Sequence, residues 1–520
     1  MTVTRRQFLR TSSLAAAYLT LPAWLSACMR SNSTKIGEQI AAPEHWDTAP
    51  TGVHSDIVHL LNRITYGPRP GDVERVAKQG WDAFLDQQLH PDKIDDSALD
   101  KQLESFETLK MSNAELVQAY PLGVPPGPRE IISQLEAASL LRAIFSERQL
   151  FEIMVDFWSN HLNIYIGKNQ ARWFKTSDDR DVIRQHALGK FRELLLASAK
   201  SPAMLVYLDN AENVVPNAFM IRQGGGINEN YAREVMELHT VGVDGGYTQA
   251  DIQPLARALT GWTFTRLLSV SGTFGEFQFV PRLHDTSEKH IPFLNLTLPA
   301  GAGVKEGETV LAMLATHPKT AERIASKLCI TFVSDDPPAA LVARAAKAFL
   351  DNDTDIRATL DVILRSDEFK AAAGQKIKLP LRVLTSAVRA IGASVTNHLP
   401  LVQQLRVMGQ PFFAWQSPNG YPQIGAAWVN TGGMLARWNL AFALAEGRIG
   451  GTTVNLQQLL PANASSAEVS VDNMSQALLN APLPAAIRDT LVQYVNDGPR
   501  ARKPPELAGL IMASPAFQIH

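Results

Sequence analysis

The chain has 520 residues, of which 45% are hydrophobic and 19% are charged, with 49 basic and 51 acidic side chains. A chain of this length buries a large core and needs no metal or disulfide staple to fold. Its 33 glycines and 31 prolines are ordinary fractions, which exclude a collagen-like or mostly disordered protein. A net charge of −2 provides no basic surface for nucleic acid, so we expect no nucleic-acid partner.

Residues 1–27 have the pattern of an export signal. Arg5 and Arg6 precede an uncharged stretch, rich in Leu and Ala, that runs from Thr11 to Ala27. That stretch is too short to cross about 30 Å of hydrocarbon as a stable helix. The twin arginine resembles the address read by the twin-arginine translocase, which carries folded proteins, often with a cofactor already inserted. We therefore predict this translocase as a partner during export.

The end of the signal resembles a bacterial lipobox, Leu25-Ser26-Ala27-Cys28, in which the thiol of the cysteine is diacylated. Cys28 would then be the first mature residue, and two or three acyl chains would anchor it stably in a lipid bilayer. An ordinary cleavage site with an incidental cysteine is the alternative. Residues 28–53 are polar, with small residues and proline, and are predicted to form a tether. An Asp directly after the lipidated cysteine would resemble an inner-membrane retention signal, but this chain has Met29 at that position. Within the cell envelope or periplasm, the outer membrane is therefore favoured.

Apolar residues recur at helical spacing from His54 onward, which predicts an all-α, bundle-like body over residues 54–445. Residues 446–520 are predicted to form a partly helical C-terminal extension. A small β-hairpin is predicted near residues 263–280, and the segment that follows, to Gly307, has no regular period and is expected to be a long loop. Helices are predicted over residues 130–146, 150–162, 182–199, 228–240, 251–260, 310–315, 320–332, 339–351, 356–365 and 382–392.

The first candidate site residues lie at the end of the second of these helices, in Asp156-Phe157-Trp158-Ser159-Asn160-His161. His161 follows Phe157 by four residues and Trp158 by three, so it lies on an aromatic stripe. A polar ring among aromatic rings needs a hydrogen-bond partner. His161 is therefore either a core histidine or part of a site to which another polar cluster contributes.

The densest polar cluster is the segment from Asn228 to His239. Glu229, Arg233 and Glu237 are spaced at successive i,i+4 steps and predict a charge ladder on one helix. Asn230, Glu234 and Glu237 lie within about 60° of one another at 100° per residue, so two carboxylates and an amide share one face. His239 lies about 140° from Glu234 on a straight helix. It is therefore predicted to be a core or second-shell histidine with its hydrogen bonds satisfied.

Four shorter features follow along the chain. Thr248 and Asp251 are spaced as a capping box. The stretch His284-Asp285-Thr286-Ser287-Glu288-Lys289-His290 is interpreted either as a metal or acid/base cluster or as a solvated loop. Cys329, in an apolar context, is predicted to be a buried thiol without a disulfide. Residues 351–355 resemble a calcium loop but lack its Gly and Glu, so a helix-capping acidic turn is favoured.

Several enzyme classes lose support because their motifs are absent from the sequence. There is no phosphate-binding loop, no dinucleotide-binding glycine pattern, no His-Glu-x-x-His and no Gly-x-Ser-x-Gly. No repeat recurs at a fixed period, which argues against a solenoid.

Six motifs in this order resemble the bacterial family catalogued as "domain of unknown function 1800": residues 59–67, 157–161, 204–210, 228–242, 256–262 and His284-Asp285. The resemblance implies an exported, predominantly helical protein without an established activity. Members of this family look like neighbours of a second, uncharacterised exported family. That second family is itself similar to sulfatases. This implies an extracellular polymer, or a sulfatase-like exported protein, as a partner. His239 stands where many relatives carry Phe, which weakens it as a catalytic residue.

Two hypotheses follow. In the first, the protein is a cell-envelope enzyme with acid/base chemistry, with or without a divalent metal as cofactor. Its catalytic residues converge on a cleft between the helices of Trp158 and Glu234, covered by residues 263–307. The catalytic candidates are His161, Glu234, Glu237, His284 and Asp285, supported by Asn160, Asn228, Glu229, Asn230 and Arg233.

In the second hypothesis, the protein is a non-catalytic lipoprotein that binds a polymer or an assembly partner, and the polar cluster is structural. Aromatic side chains would then provide stacking surfaces, unless they are ordinary core residues. The candidates are Trp173, Phe174, Trp262, Phe412, Phe413, Trp415 and Tyr421.

Overall fold

The computed structural model describes residues 53–216, 226–266, 272–459, 466–497 and 504–520. The predicted signal, the lipidation site at Cys28 and nearly all of the predicted tether lie outside these ranges. Within them, no helix is both long enough and apolar enough to cross a membrane.

The described chain is predominantly helical, as the sequence predicts. The first half contains α-helices at Val53–Ile64, Asp72–Gln79, Trp81–Leu89, Ser97–Leu103, Asn113–Ala119, Pro128–Phe145, Gln149–His161, Ala171–Ser177, Arg184–His186, Phe191–Lys200, Pro202–Tyr207, Asn230–Glu234 and Gln249–Ala258. Two further segments are π-helical, Asp178–Ile183 and Val235–His239.

The second half continues in the same way. Its α-helices are Val304–Ala315, Pro318–Phe332, Ala339–Asp351, Ile356–Leu364, Asp367–Ala371, Pro380–Ala390, Leu399–Val407, Thr431–Ala445, Ala467–Leu479, Ala485–Asn496, Pro504–Ala513 and Pro515–Gln518. Short 3-10 helices at Pro91–Lys93, Glu107–Leu109, Asn210–Glu212, Pro281–Leu283, Pro292–Leu294, Gly425–Trp428 and Leu456–Leu459 connect them.

Strands are short and form two-stranded antiparallel pairs. The predicted hairpin is confirmed, because Trp262–Phe264 pairs with Phe277–Phe279. The next segment was expected to be irregular, and this expectation is wrong: Lys289–Ile291 pairs with Leu296–Leu298. Three-residue strands give too short an alternation to be recognised in the sequence. The third pair joins Ser394–Val395 to Thr452–Thr453.

Local capping explains two helix starts that the sequence predicts. Asp355 Oδ1 accepts the N–H of Ala358 at 2.8 Å, so the acidic turn caps a helix as expected. Asp251 Oδ2 accepts both the N–H and the O–H of Thr248, at 2.8 and 3.0 Å.

The predicted helix over residues 182–199 is interrupted. The chain leaves the helix after His186 and begins a new one at Phe191. In the gap, Phe191 N–H donates to Thr354 O at 2.9 Å, and Ile356 N–H donates to Gly189 O at 2.9 Å. This pairing with a distant segment satisfies backbone groups that a continuous helix would have satisfied locally.

One hydrophobic core runs through the described residues, from Ile57 near the start to Phe517 near the end. The Pro380–Ala390 helix packs against both Pro128–Phe145 and Thr431–Ala445, and the Pro504–Ala513 helix packs on Thr431–Ala445. The C-terminal residues therefore pack directly on the preceding helical body.

Candidate functional site

His161 is a buried residue at the last turn of the Gln149–His161 helix. Its ring lies against Phe157, Trp158 and Phe191, and its Nε2 lies 3.1 Å from the backbone oxygen of His239. Burial holds the pKa of His161 well below its usual value, and the nearby Lys327 acts in the same direction. His161 is therefore a neutral core residue at pH 7.

His239 is also buried, as the sequence predicts, but neither ring nitrogen has a hydrogen-bond partner among the described residues. The expectation of a satisfied histidine is wrong in this respect. The segment from Val235 to His239 is π-helical, so the straight-helix angles do not apply to it. The His161 and His239 rings are 6.3 Å apart between centroids. Burial lowers the pKa of His239 to about 3.

The predicted charge ladder is confirmed. Arg233 lies 3.3 Å from Glu229 and 3.7 Å from Glu237. Gln249 Nε2 also donates to Glu229, at 2.6 Å. Burial raises the pKa of Glu234, and the neighbouring Glu237 adds to the effect. These partly exposed side chains form a surface network between two helices.

The two remaining polar candidates of this segment make backbone contacts. Asn228 Oδ1 accepts the N–H of Asn230 at 3.0 Å, and Asn230 Nδ2 donates to Leu208 O at 3.2 Å. They join the start of the helix to the chain that precedes it.

His284 and Asp285 belong to a third location. His284 Nε2 lies 3.3 Å from Glu306 Oε2, and Lys289 Nζ lies 2.6 Å from the same oxygen, all fully buried. Arg257 donates to Asp285 at 2.7 Å. Burial acts to raise the pKa of Asp285, but the hydrogen bonds from Arg257 and Ser287 outweigh it and hold the pKa far below the usual value.

The structure thus places the catalytic candidates in three separate networks. In the described ranges, no hydrogen bond or ion pair joins His161, Glu234 and His284, and no three His, Cys, Asp or Glu side chains are arranged to hold a metal ion.

A different set of side chains meets at a cavity of about 90 Å³ beside the Gln149–His161 helix. Asp156, Ser159, Asn160 and Asn163 all line it. Asp156, Ser159 and Asn160 share one helix face through their i, i+3, i+4 spacing, and Asn163 follows just beyond the end of the helix. The spacing of these polar residues is present in the sequence, where it is the signal for this face of the helix.

The second wall of the cavity is the segment of residues 410–424, which we name the aromatic loop. Phe412, Phe413 and Tyr421 from this loop line the cavity and are partly exposed. Phe413 has a φ of 54°, a left-handed conformation that a bulky residue rarely adopts. Backbone strain of this kind is found mainly at functional sites.

Asn160, one of the predicted supporting residues, fastens the aromatic loop to the helix. Its Nδ2 donates to Tyr421 O at 2.9 Å, and its Oδ1 accepts the N–H of Tyr421 at 2.7 Å. Asn163 Nδ2 donates to the backbone oxygens of Trp415 and Ser417, at 3.0 and 2.8 Å. The two amides hold the loop in place through its backbone.

The aromatic candidates fall into two groups. Trp173, Phe174 and Trp262 are core residues. Phe412, Phe413, Trp415 and Tyr421 are partly exposed on the aromatic loop, where the Trp415 and Tyr421 rings lie 4.8 Å apart.

The third wall contains Arg382, whose guanidinium is held in place by the backbone. Its Nη1 lies 3.2 to 3.4 Å from the carbonyl oxygens of Asn62, Arg63 and Thr65. It also lies 5.7 Å from the centre of the Tyr66 ring. A fixed cation therefore faces the cavity.

Asp156 is the unusual group of this cavity. Its carboxylate has no hydrogen-bond or ion-pair partner in the part of the chain that the structure describes, although it lies on a half-buried helix face. Burial raises its pKa to about 6, and Arg382 opposes the shift only in part. A carboxyl group with this pKa populates both protonation states near neutral pH, which suits general acid/base chemistry.

The family comparison is unambiguous. The family described as "Protein of unknown function (DUF1800)" matches residues 59–519. No curated protein and no solved structure matches at a significant level. Because the match spans most of its length, the chain belongs to the DUF1800 family of proteins of unknown function.

Proposed function

We propose that this protein is an exported cell-envelope lipoprotein, anchored through Cys28, whose helical body carries an acid/base site at Asp156. The single observation that carries the enzymatic part is the carboxylate of Asp156, which is desolvated, has no partner among the described residues and faces a cavity. Such groups cluster at catalytic sites because burial there tunes their pKa. The envelope part rests on the twin arginine and the lipobox of the N-terminal sequence.

The substrate class follows from the walls of the cavity. Partly exposed aromatic rings offer apolar stacking faces, while Ser159, Arg382 and Gln423 offer polar groups beside them. This combination suits a polyhydroxylated ring, which has apolar faces and a polar edge. A volume of about 90 Å³ admits only part of such a ring, so an end or side group of an extracellular polysaccharide is the proposed substrate.

The number of carboxyl side chains in the cavity limits which class of reaction the site supports. Glycosidases of the common type need two carboxyl groups flanking one bond. Asp156 is the one carboxyl side chain among the described residues that line this cavity. The proposed step is therefore the transfer of one proton from a substrate hydroxyl group to the Asp156 carboxylate. The electron pair of the broken O–H bond stays on the substrate oxygen, and Arg382 stabilises the negative charge there.

In this proposal the other candidates support the site instead of reacting. Asn160 positions the aromatic loop, and His161 packs among aromatic rings of the core. The ion pairs of Arg233 with Glu229 and Glu237, of Arg257 with Asp285 and of His284 with Glu306 hold neighbouring elements together.

A test compares wild type with Asp156→Asn on defined oligosaccharides, using malto-, cello- and chitohexaose as probes. Binding is measured by calorimetry and conversion by mass spectrometry. We expect Asp156→Asn to lower conversion at least 100-fold with binding retained, and Tyr421→Ala to weaken binding. Asp92→Asn, an exposed carboxylate, is the control and should change neither. Unchanged conversion in Asp156→Asn would overturn the proposal.

The second candidate function is non-catalytic polymer binding, and the partly exposed aromatic loop favours it. It predicts binding that depends on Trp415 and Tyr421 without any conversion of the probe. The same experiment therefore separates the two functions.

The ionisation of Asp156 also predicts a pH dependence of stability that needs no substrate. The folded-state pKa of about 6 exceeds the ordinary aspartate pKa of 3.8, so the unfolded chain releases its proton first as the pH rises. Stability contributed by this residue is complete below about pH 4 and is lost as the pH rises through 6. The facing groups are Arg382, Tyr66, Lys376 and His520.

Asp156→Asn should therefore increase the free energy of unfolding by about 1 to 3 kcal/mol at pH 7.5, and by less than about 1 kcal/mol at pH 4. Denaturant unfolding followed by circular dichroism measures this difference. Equal effects at both pH values would show that the carboxyl group ionises normally.

A further inference from the structure

A second cavity, of about 410 Å³, shares Ile377 and His520 with the first one in its lining. Its walls come from the Val53–Ile64 helix, the Thr431–Ala445 helix, the end of the Ala467–Leu479 helix and residues 515–520. Its volume is in the usual range for small-molecule sites, roughly 300 to 1,000 Å³. This cavity is larger than the one at Asp156, which has about 90 Å³. The proposed reaction does not use it.

Most of its lining is apolar. Val58, Ile377, Met434, Leu478 and Phe517 contribute aliphatic and aromatic surface from five separate parts of the chain. A cavity of this kind recognises hydrocarbon, because burial of apolar surface of both partners is favourable.

Two buried cations line the same cavity. Lys378 Nζ lies 4.0 Å from the centre of the Phe517 ring and 3.3 Å from Ser386 Oγ. Arg437 Nη1 donates to Gln518 Oε1 at 3.1 Å, while its Nη2 has no hydrogen-bond partner among the described residues. The two residues are only 6% and 1% exposed.

Neither cation has a carboxylate within ion-pair distance in the part of the chain that the structure describes. Asp335, which also lines the cavity, is already engaged by Lys376 and by the N–H of Gly425. A buried charge without a counter-ion is costly. Burial lowers the pKa of Lys378 to about 7, and Arg382 and Arg437 act in the same direction, so a bound anion would favour the charged form of Lys378.

We propose that this cavity binds a single-chain amphiphile with an anionic headgroup, in which the headgroup contacts Lys378 and Arg437 and the hydrocarbon chain lies among Val58, Met434 and Leu478. A fatty-acid carboxylate and the phosphate of a lysophospholipid share this chemistry. The cavity is distinct from the Asp156 site, so the inference stands independently of the proposed reaction.

Calorimetric titration of the purified full chain with laurate, below its micellar concentration, tests the proposal. We expect one laurate per chain, with decanoate binding roughly tenfold more weakly because two buried methylenes are lost. The uncharged 1-dodecanol should bind at least tenfold more weakly than laurate, since it lacks the anion. Lauroyl lysophosphatidylglycerol is the second arm, and tighter binding than laurate identifies a phospholipid as the source.

Variants assign the headgroup contact. Arg437→Met and Lys378→Met should each lower laurate affinity at least tenfold, while binding of 1-dodecanol stays unchanged. Arg344→Met, which removes an exposed arginine paired with Glu368, is the matched control and should bind laurate like wild type. If Arg437→Met fails to fold, Lys378→Met alone decides. Equal affinity for laurate and 1-dodecanol, no binding of laurate, or no effect of either variant would overturn the proposal.

Discussion

His239 illustrates at the residue scale how burial alone determines the ionisation of a side chain. Both of its nitrogens lack partners among the described residues, and the cations Lys327 and Arg323 lie nearby. A protonated ring at this position would add a third positive charge beside Lys327 and Arg323. The folded protein therefore keeps His239 neutral far below the usual histidine pKa.

His239→Phe is predicted to stabilise the protein mainly in acid. The unfolded chain takes up a proton below its pKa of 6.5, whereas the folded chain does so only near pH 3, so wild-type stability falls as the pH drops from about 7 to 3. Phe removes this loss. The gain in the free energy of unfolding should be about 2 kcal/mol larger at pH 5 than at pH 8.

Denaturant unfolding at the two pH values measures this difference. His290→Phe, at an exposed histidine, should show no comparable difference between them. A gain for His239→Phe that does not depend on pH would contradict a neutral buried ring.

For Asp156, the neighbouring sequence predicts the position of the side chain but not its ionisation. Its position on a polar helix face was predictable from the spacing of Ser159 and Asn160. Its raised pKa was not, because the desolvation comes from residues 381–382 and from the aromatic loop. The sequence alone gives no measure of how many distant groups cover a carboxyl group.

At the element scale, the aromatic loop depends on a close approach to the helix at Gly420. The φ of Gly420 is 71°, and a Cβ atom at this position would lie 2.2 Å from Asn160 O. Gly409 also has a positive φ, 87°, but a Cβ atom there would meet nothing closer than 3.8 Å. A substitution at Gly409 therefore introduces backbone strain alone, whereas a substitution at Gly420 introduces strain together with a steric clash.

We predict that Gly409→Ala lowers the free energy of unfolding by about 1 kcal/mol, the cost of a left-handed non-glycine residue. Gly420→Ala should cost about 3 kcal/mol or more, since the clash adds to the strain. Hydrogen–deuterium exchange over residues 410–424 should increase in Gly420→Ala only. Matching exchange in the two variants would mean that the loop does not rest on Asn160.

The end of a helix is predictable when a nearby side chain caps it. It is not predictable when backbone pairing with a distant segment ends the helix. Asp355 identifies the start of its helix through its own side chain. The break at Gly189 arises from pairing with residues 354–356, which no pattern around Gly189 indicates. The sequence does not predict the Lys289–Ile291 strand for a related reason. This segment is a strand because it pairs with Leu296–Leu298, and its own composition does not indicate that pairing.

At the scale of the whole molecule, the core joins the first and last described helices. Cys329 lies within this core, fully buried, and burial raises the pKa of its thiol to about 12. The thiol is therefore both inaccessible and protonated in the folded state.

We predict that Cys329 reacts with N-ethylmaleimide only when the protein unfolds globally. In a Cys28→Ser variant it is the one remaining cysteine. Labelling at pH 8 should be negligible without denaturant, and its midpoint in urea should coincide with that of circular dichroism. An added Ser97→Cys, at an exposed position, should react at once. Labelling of Cys329 well before the main transition would mean that its region opens separately.

The sequence by itself determined the helical class, the hairpin at Trp262–Phe264, the charge ladder of Arg233 and the capping at Asp355. Each depends on contacts between residues close in the chain, which a periodic pattern records. The tertiary structure alone decided that His161, Glu234 and His284 lie in separate networks and that Asp156 meets Arg382 at a cavity. Desolvation and charge pairing are set by residues far apart in the chain, so only the packed molecule shows which polar groups share a site.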